Sequence, residues 1–398
     1  MKTQHHRPLL TGVLIASLLI AGGAAVSIAI DRPGVGKDEK GRTATKTVSS
    51  YAEAEKDFEI EGRWELERIG DVTVLQVRVR ERRNRFNMSI QFDEDQFIGL
   101  DYGDDDEFAL VRDAGTFYFA GDFDKKGKKI EGDGKFGFVP NNQFENEVDG
   151  HFDDHELFIL AAKDVGFEYI KEMKKLGYDI DDGDELVPLA IHSVSLDYVR
   201  EMKDSGYEVS LDALVRFRIH GVDPDYVHEM ADLGYDHLPS EELVRFRIHG
   251  VDPEYVRDMR EAGVAHMTTD DLTRMRIHGV SPEFVRGMTK AGYESLETDQ
   301  LVEWRIHGVS PDFVHGIQDA GVAHVTTDDL TRMRIHGVSP EYVQELNALG
   351  YTDIDVDDLV RMRIHGVTPG YIKRVLDKTT EPPSVDTLIK MKIHGISL

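Results

Sequence analysis

The chain has 398 residues, 75 of them acidic against 47 basic, for a net charge of −28, and it has no cysteine. That length suggests two or three domains, and 40% hydrophobic residues are enough for cores. The acidity argues against a nucleic-acid partner, because such a surface repels phosphates instead of releasing their counterions; the missing thiol excludes disulfides, thiolate zinc sites and cysteine nucleophiles.

Leu9 to Ile30 is an uncharged, mostly apolar run. A helix needs about 20 such residues to cross a bilayer, and this run is long enough. Residues 1–30 therefore read as an N-terminal transmembrane signal anchor. The competing reading, a signal peptide cut near Ala24 to Ala29, fits less well, since the apolar part of a cleaved signal runs to about 7–15 residues. Counting Arg32, Lys37, Lys40, Arg42 and Lys46 against Lys2 and Arg7 would place the bulk of the chain inside. A short stub before a long hydrophilic chain instead resembles an exported protein, and an extracytoplasmic (periplasmic), single-pass arrangement is expected. Residues 31–57 are polar and aperiodic, the composition of a flexible linker.

From 58 to 150 the period becomes 2. Phe86, Met88, Ile90 and Phe92 alternate with polar residues, Val77 and Val79 with Arg78 and Arg80, Phe117 and Phe119 flank Tyr118, and Phe136 and Phe138 flank Gly137. Gly- and Asp-rich turns separate the runs, so a small antiparallel β sandwich or open barrel is expected. The acidic run Asp101, Asp104, Asp105, Asp106 and Glu107 lacks the ligand order of a calcium loop. It reads as a solvated turn, with a weak cation site as the alternative.

From 151 to 398 the chain repeats. Ile-His-Gly-Val recurs with histidines at His220, His249, His278, His307, His336 and His365; Ile393-His394-Gly395-Ile396 closes the series and Ile191-His192-Ser193-Val194 opens it. The first interval is 28 residues and the rest are 29. Fixed-period similarity of this length marks stacked units. After Val280, Ser281 suits an N-cap, Pro282 the first helical position and Glu283 the positive helix end; Val280 and Val285 are spaced for a hydrophobic staple. Gly292 supplies a left-handed stop. A second helix starts near Thr268, where Asp271 three residues on suggests a capping box, as do Thr326 with Asp329 and Asp355 with Asp358. Arg274, Arg276 and Gly279 end it. Helices of about ten residues are too weak to persist alone, so stacking has to bury the Tyr/Phe, Val, Met, Leu and Ile stripes. The fold class expected is multidomain α+β: a transmembrane helix, a small antiparallel β domain, and a C-terminal α-solenoid of helix–turn–helix repeats. Leu196 in place of proline and Thr379-Thr380-Glu381-Pro382-Pro383 mark the caps, and a weaker unit holds Tyr169, Gly177 and Tyr178. His266 and His324, two periods apart, suggest duplication of a two-unit block.

The histidine ladder does not read as a metal centre. Stacked helices lie about 8–10 Å apart, whereas zinc holds its ligands at about 2.0–2.1 Å. Each histidine precedes the terminating glycine, where its N–H can meet an orphan carbonyl, a structural role; modulation by pH is the alternative. Arg216, Arg218, Arg245, Arg247, Arg274, Arg276, Arg332, Arg334, Arg361 and Arg363 form a second ladder. It reads as pairing with acids of the next unit, the sharper alternative being a ligand-facing basic stripe. No HExxH, GxSxG, P-loop or GxGxxG is present, so no catalytic, cofactor-binding or metal-binding residue is assigned and no enzyme is expected.

The IHGV(S/T/D)PE(Y/F)V units, with Ala114-Gly115-Thr116-Phe117 and Gly132 to Pro140, resemble a soluble extension that follows the membrane peptidase region of some bacterial antirepressor-type, beta-lactam-sensor-like metallopeptidases. Those peptidases carry several spans and a zinc-binding HExxH; this chain has neither, so the resemblance implies a shared sensing or docking module and not proteolysis. Three functions are carried forward: a membrane-anchored, non-catalytic scaffold whose solenoid binds a protein or peptide partner, a basic one suiting its charge; a regulatory sensor ectodomain working with a separate membrane peptidase or receptor; and a hydrolase with its site in the β domain.

Overall fold

The structure, a computed structural model, describes residues 27–28, 49–69, 72–80, 85–92, 96–126, 129–323 and 325–396. The apolar run at Leu9 to Ile30 lies outside them except for Ser27–Ile28, which forms strand β1. Among the described residues no helix is long and apolar enough to cross a membrane. The chain divides into two compact units. The first holds the described residues up to Lys203 together with Ser210–Arg218; the second holds Asp204–Val209 and the residues from Ile219 onward.

The first unit is built on one sheet: β2 (Ile60–Ile69), β3 (Val72–Arg80), β4 (Arg85–Gln91), β5 (Phe97–Ile98), β6 (Asp106–Arg112), β7 (Gly115–Lys126) and β8 (Lys129–Pro140). Their order is β4-β3-β2-β8-β7-β6-β5, all antiparallel, with β1 beside β4 in parallel pairing. Of the two forms expected from the strand pattern, sandwich or open barrel, the sandwich is ruled out by a single antiparallel sheet, whose curl follows from chain length. β4 and β5 lie at opposite ends of the seven-strand order, six spacings or about 29 Å apart if flat. The connection between them spans residues 92–96, so the chain can reach at most about 20 Å. The sheet must curl, and Phe92 meets Phe97 edge-on with ring centroids 4.2 Å apart.

The alternation read from the sequence puts one face inside. Val77, Val79, Phe117, Phe119, Phe136 and Phe138 are all fully buried. Trp64 is fully buried and lies over the glycines of β7 and β8. A Cβ on Gly134 would stand 2.6 Å from its indole nitrogen, so only glycine fits beneath it; that nitrogen donates to the Ala120 carbonyl at 3.2 Å. The outer face is laced with exposed ion pairs such as Arg63–Asp133 at 3.1 Å. Residues 51–57, read as the end of a structureless tether, are ordered: α1 (Tyr51–Ala54) is started by a capping box between Ser50 and Glu53 and runs into a 3-10 turn. The Tyr51 amide donates to Glu107 at 3.0 Å, which ties this segment to β6.

After α2 (Asn142–Glu147) comes α3 (Asp154–Ala162), whose Phe158 is buried against the rings of Phe117 and Phe138 at 5.1 and 5.2 Å. Regularly spaced helices follow: α4 (Phe167–Lys175), α5 (Leu186–Ile191), α6 (Leu196–Asp204) and α7 (Leu211–His220). Then come α8 (Pro224–Asp232), α9 (Ser240–His249), α10 (Pro253–Glu261), α11 (Thr269–Ile277), α12 (Pro282–Lys290) and α13 (Thr298–His307). The series ends with α14 (Pro311–Asp319), α15 (Thr327–Ile335), α16 (Pro340–Ala348), α17 (Val356–Ile364), α18 (Pro369–Leu376) and α19 (Val385–Ile393). Within the second unit each even-numbered helix packs on the next even one and each odd on the next odd, a solenoid-like arrangement.

Local chemistry explains the ends. The Ser281 hydroxyl accepts from the Phe284 amide at 3.2 Å, with Pro282 in the first turn. The capping boxes at Thr268–Asp271 and Thr326–Asp329 form as expected. At Asp355 only half of the box forms: its carboxylate accepts from the Asp358 amide at 2.7 Å, while the Asp358 side chain turns to Arg361. Gly292 stops its helix in the left-handed region, at φ +98°.

Candidate functional site

The B helix of each unit (the odd-numbered ones) ends in the same way, and α11 shows how. The Gly279 amide donates to the Arg276 carbonyl at 3.2 Å and the Val280 amide to the Met275 carbonyl at 2.8 Å, with Gly279 left-handed at φ +69°. This is a Schellman stop, whose hydrophobic contact is the buried Met275–Val280 pair. Met275 faces the core, and a residue two positions further along a helix lies about 200° round it. Ile277 therefore points to water.

The same holds at every unit. Ile219, Ile248, Ile277, Ile306, Ile335, Ile364 and Ile393 are 51–57% exposed. The expectation that stacking buries this isoleucine is corrected here. Ile317 and Ile372, inside A helices, are fully buried, but the isoleucine of Ile-His-Gly belongs to the surface. Beside it, His249, His278, His307, His336, His365 and His394 are exposed as well. The His278 backbone amide closes its helix on the Arg274 carbonyl at 3.0 Å, a bond that any residue at this position would make.

The orphan carbonyls of one unit are met by the next. Arg247 Nε donates to the His220 carbonyl at 3.4 Å while its guanidinium lies 4.8 Å from the Tyr226 ring. Arg276 over Tyr255, Arg334 over Phe313 and Arg363 over Tyr342 repeat the stack at 4.5, 4.9 and 4.9 Å, and Arg218 does the same over Tyr198 at 5.0 Å within the first unit. The other arginine row pairs forward as expected. Arg245, Arg274, Arg332 and Arg361 reach Asp270, Asp299, Asp357 and Asp386 at 2.7–2.8 Å. Arg216, on the same row, is exposed. Arg216 apart, the arginines thus split into an ion-paired row and a row flattened on aromatic rings.

Three other places carry polar chemistry. In the acidic run, the Asp106 carboxylate is buried and accepts from the amides of Asp101 and Tyr102 at 3.1 and 2.8 Å, which makes the run a braced turn. In the second unit, an open cleft of about 490 Å³ is lined by Asp329, Arg332, Asp353, Asp355 and Asp357. Arg332 bridges Asp329 and Asp357, and the Asp355 carboxylate is taken up by the Asp358 amide, so the cleft keeps an acidic excess around one guanidinium that is already engaged. In the first unit, Lys163 donates to the Ser193 hydroxyl at 3.0 Å. Burial, with Arg218 adding to it, pushes the Lys163 amine down to about 8. A serine beside a lysine of lowered basicity has the form of a nucleophile–base pair. However, the Ser193 and Val194 amides are engaged by the Ala190 and Leu189 carbonyls, so neither is aimed where an oxyanion would develop.

No family model matches the chain, and no curated protein matches it. The isoleucine row is therefore weighed on its own geometry. The signal for it was present in the sequence: each isoleucine stands two positions after the Met, Phe or Trp that the core requires.

Proposed function

We propose that the chain is a membrane-anchored, non-catalytic scaffold that binds a protein partner through the exposed isoleucine row of its helical repeats. One observation carries this reading. The other large aliphatic side chains described in the second unit are buried or half-buried, Ile396 at its end apart, yet one isoleucine per repeat stays half in water at the same position. Scattered surface apolar residues need no explanation, but a row of them along one edge marks an interaction surface. The row stands on the last turn of the B helices, so a partner would touch side chains and leave the helix ladders intact. The anchoring part of the reading rests on the length of the apolar run at Leu9 to Ile30.

The test is capture from detergent-solubilised membranes with the full chain as bait, against a variant carrying Ile277→Glu, Ile306→Glu and Ile335→Glu. The reading expects a partner held by the native chain and released by the variant. It fails if the two baits retain the same proteins in the same amounts.

A further inference from the structure

We infer that the partner fitting the isoleucine row is a second copy of the chain, docked edge to edge and antiparallel about a two-fold axis. This rests on the scaffold reading above and names its partner. Neighbouring B helices pack at about 8–10 Å, so the rungs form a comb, and only a comb of equal pitch engages all of them. A second copy has that pitch by construction, and a two-fold axis sets the row against itself, each rung i on rung j and j on i.

Each isoleucine leaves on the order of 100 Å² of apolar surface in water, and the seven together about 700 Å². A stable interface buries about 800 Å² on each partner. The row alone comes close to that, and the adjoining histidines supply the remainder.

The chain carries −28, and two copies repel each other over most of their surface. Every rung, however, reads Arg-Ile-His or, at the last, Lys-Ile-His, with no acid in it. Its cation is held over an aromatic ring of its own chain and does not reach for the other copy. Docking along this edge keeps the acidic surfaces of the two copies apart. Full overlap sets the register: Ile306 meets Ile306 of the other copy, Ile277 meets Ile335, and Ile248 meets Ile364.

The absence of native cysteine makes the register testable in the full chain, purified in mild detergent. Sedimentation velocity should show a two-chain particle that reverts to a monomer in the variant carrying Ile277→Glu, Ile306→Glu and Ile335→Glu. A short bismaleimide should cross-link Ile306→Cys with itself. It should join Ile248→Cys to Ile364→Cys when the two are mixed, several-fold more than either alone. A native chain that stays monomeric at all concentrations, or cross-linking indifferent to register, overturns the inference. If that monomer still captures a different protein through the row, self-pairing is wrong and the scaffold reading stands. If the Ile→Glu variant loses neither a dimer nor a captured protein, both are wrong.

Discussion

The hydroxyl of Tyr255 donates to the carbonyl oxygen of Val280, 25 residues on, at 2.9 Å, and the bond is buried. Tyr226 makes it to Val251 and Tyr342 to Val367. Each bond fastens an A helix to the turn that closes the following B helix. Where the chain has Phe284 or Phe313, the ring remains and the hydroxyl is gone. Tyr255→Phe should therefore cost about 1 kcal/mol, the usual worth of one such bond. Phe284→Tyr should gain a similar amount by reaching the Val309 carbonyl. Urea midpoints of the two variants, moving in opposite directions, check this.

Gly250 and Gly263 are both left-handed, at φ +69° and +108°. A Cβ at Gly250 would stand 2.7 Å from Arg276 Nη2, whereas nothing lies within 4 Å of one at Gly263. Alanine at either position carries a backbone strain of roughly 1–2 kcal/mol. Only Gly250→Ala also lifts the guanidinium from Tyr255, at a further cost of about 0.5–1 kcal/mol. Equal losses in thermal or urea unfolding would refute the account.

Lys163 titrates at about 8 in the folded chain, against 10.5 for the free amine, chiefly because it is buried. Between those values the unfolded chain still holds the proton and the folded one has shed it. Stability of the first unit should therefore rise with pH from about 8 towards 10. Below that window the charged lysine costs up to about 3 kcal/mol, as an order of magnitude. Lys163→Met should flatten the rise and stabilise the unit at neutral pH, unless the orphaned Ser193 hydroxyl offsets the gain. Unfolding followed by Trp64 fluorescence, which reports on the first unit, measures the slope.

The second unit should behave in the opposite way at high pH. Burial pushes Tyr255 and Tyr342 up to about 12, with Arg276 and Arg363 pulling each back in part. Above about 10 the unfolded chain releases these protons while the folded chain retains them. Stability is thus whole below 10 and is lost as the pH climbs towards 12. Replacing both residues with phenylalanine should weaken the alkaline loss followed by Trp304 fluorescence.

Ile306 and Ile317 should separate surface from core. Ile306 is 56% exposed and Ile317 is fully buried. Compared in a monomeric background carrying Ile277→Glu and Ile335→Glu, Ile306→Glu should shift stability by no more than about 0.5 kcal/mol, while Ile317→Ala should cost about 2–5 kcal/mol. A large loss with Ile306→Glu would mean that the row packs within its own chain and is unavailable to a partner.

Most of the architecture could be read from spacing. The strand faces at Val77–Val79 and Phe136–Phe138 followed from period 2, and the helix starts and stops from Ser281, Pro282 and Gly292, because these features depend on near neighbours. The curl of the sheet depends on which strands meet, and no local pattern contains that. The order at Tyr51 was hidden because a single capping box carries no period. The isoleucine row was misassigned for a different reason. Amphipathic counting treats every aliphatic side chain as interior, yet in so short a helix Met275 and Val280 already fill the place nearest the core. Ile277 is left facing outward by the roughly 200° that separates it from Met275.

From Tyr235 onward the phenol bonds from Tyr235 to Met267, from Tyr293 to Val325 and from Tyr351 to Pro383 recur at every second unit, and the intervening units have Val264 and Val322 in place of the tyrosine, whereas the unit before them keeps Tyr207. The modular step is accordingly a pair of units. Excising one such pair, for example 268–325, would rejoin matching surfaces and shorten the comb by two teeth. Excising a single unit would set two like units side by side and break the alternation. Variants shortened within the alternating stretch, from Tyr235 to Tyr351, that remain folded should therefore differ from it by even numbers of units.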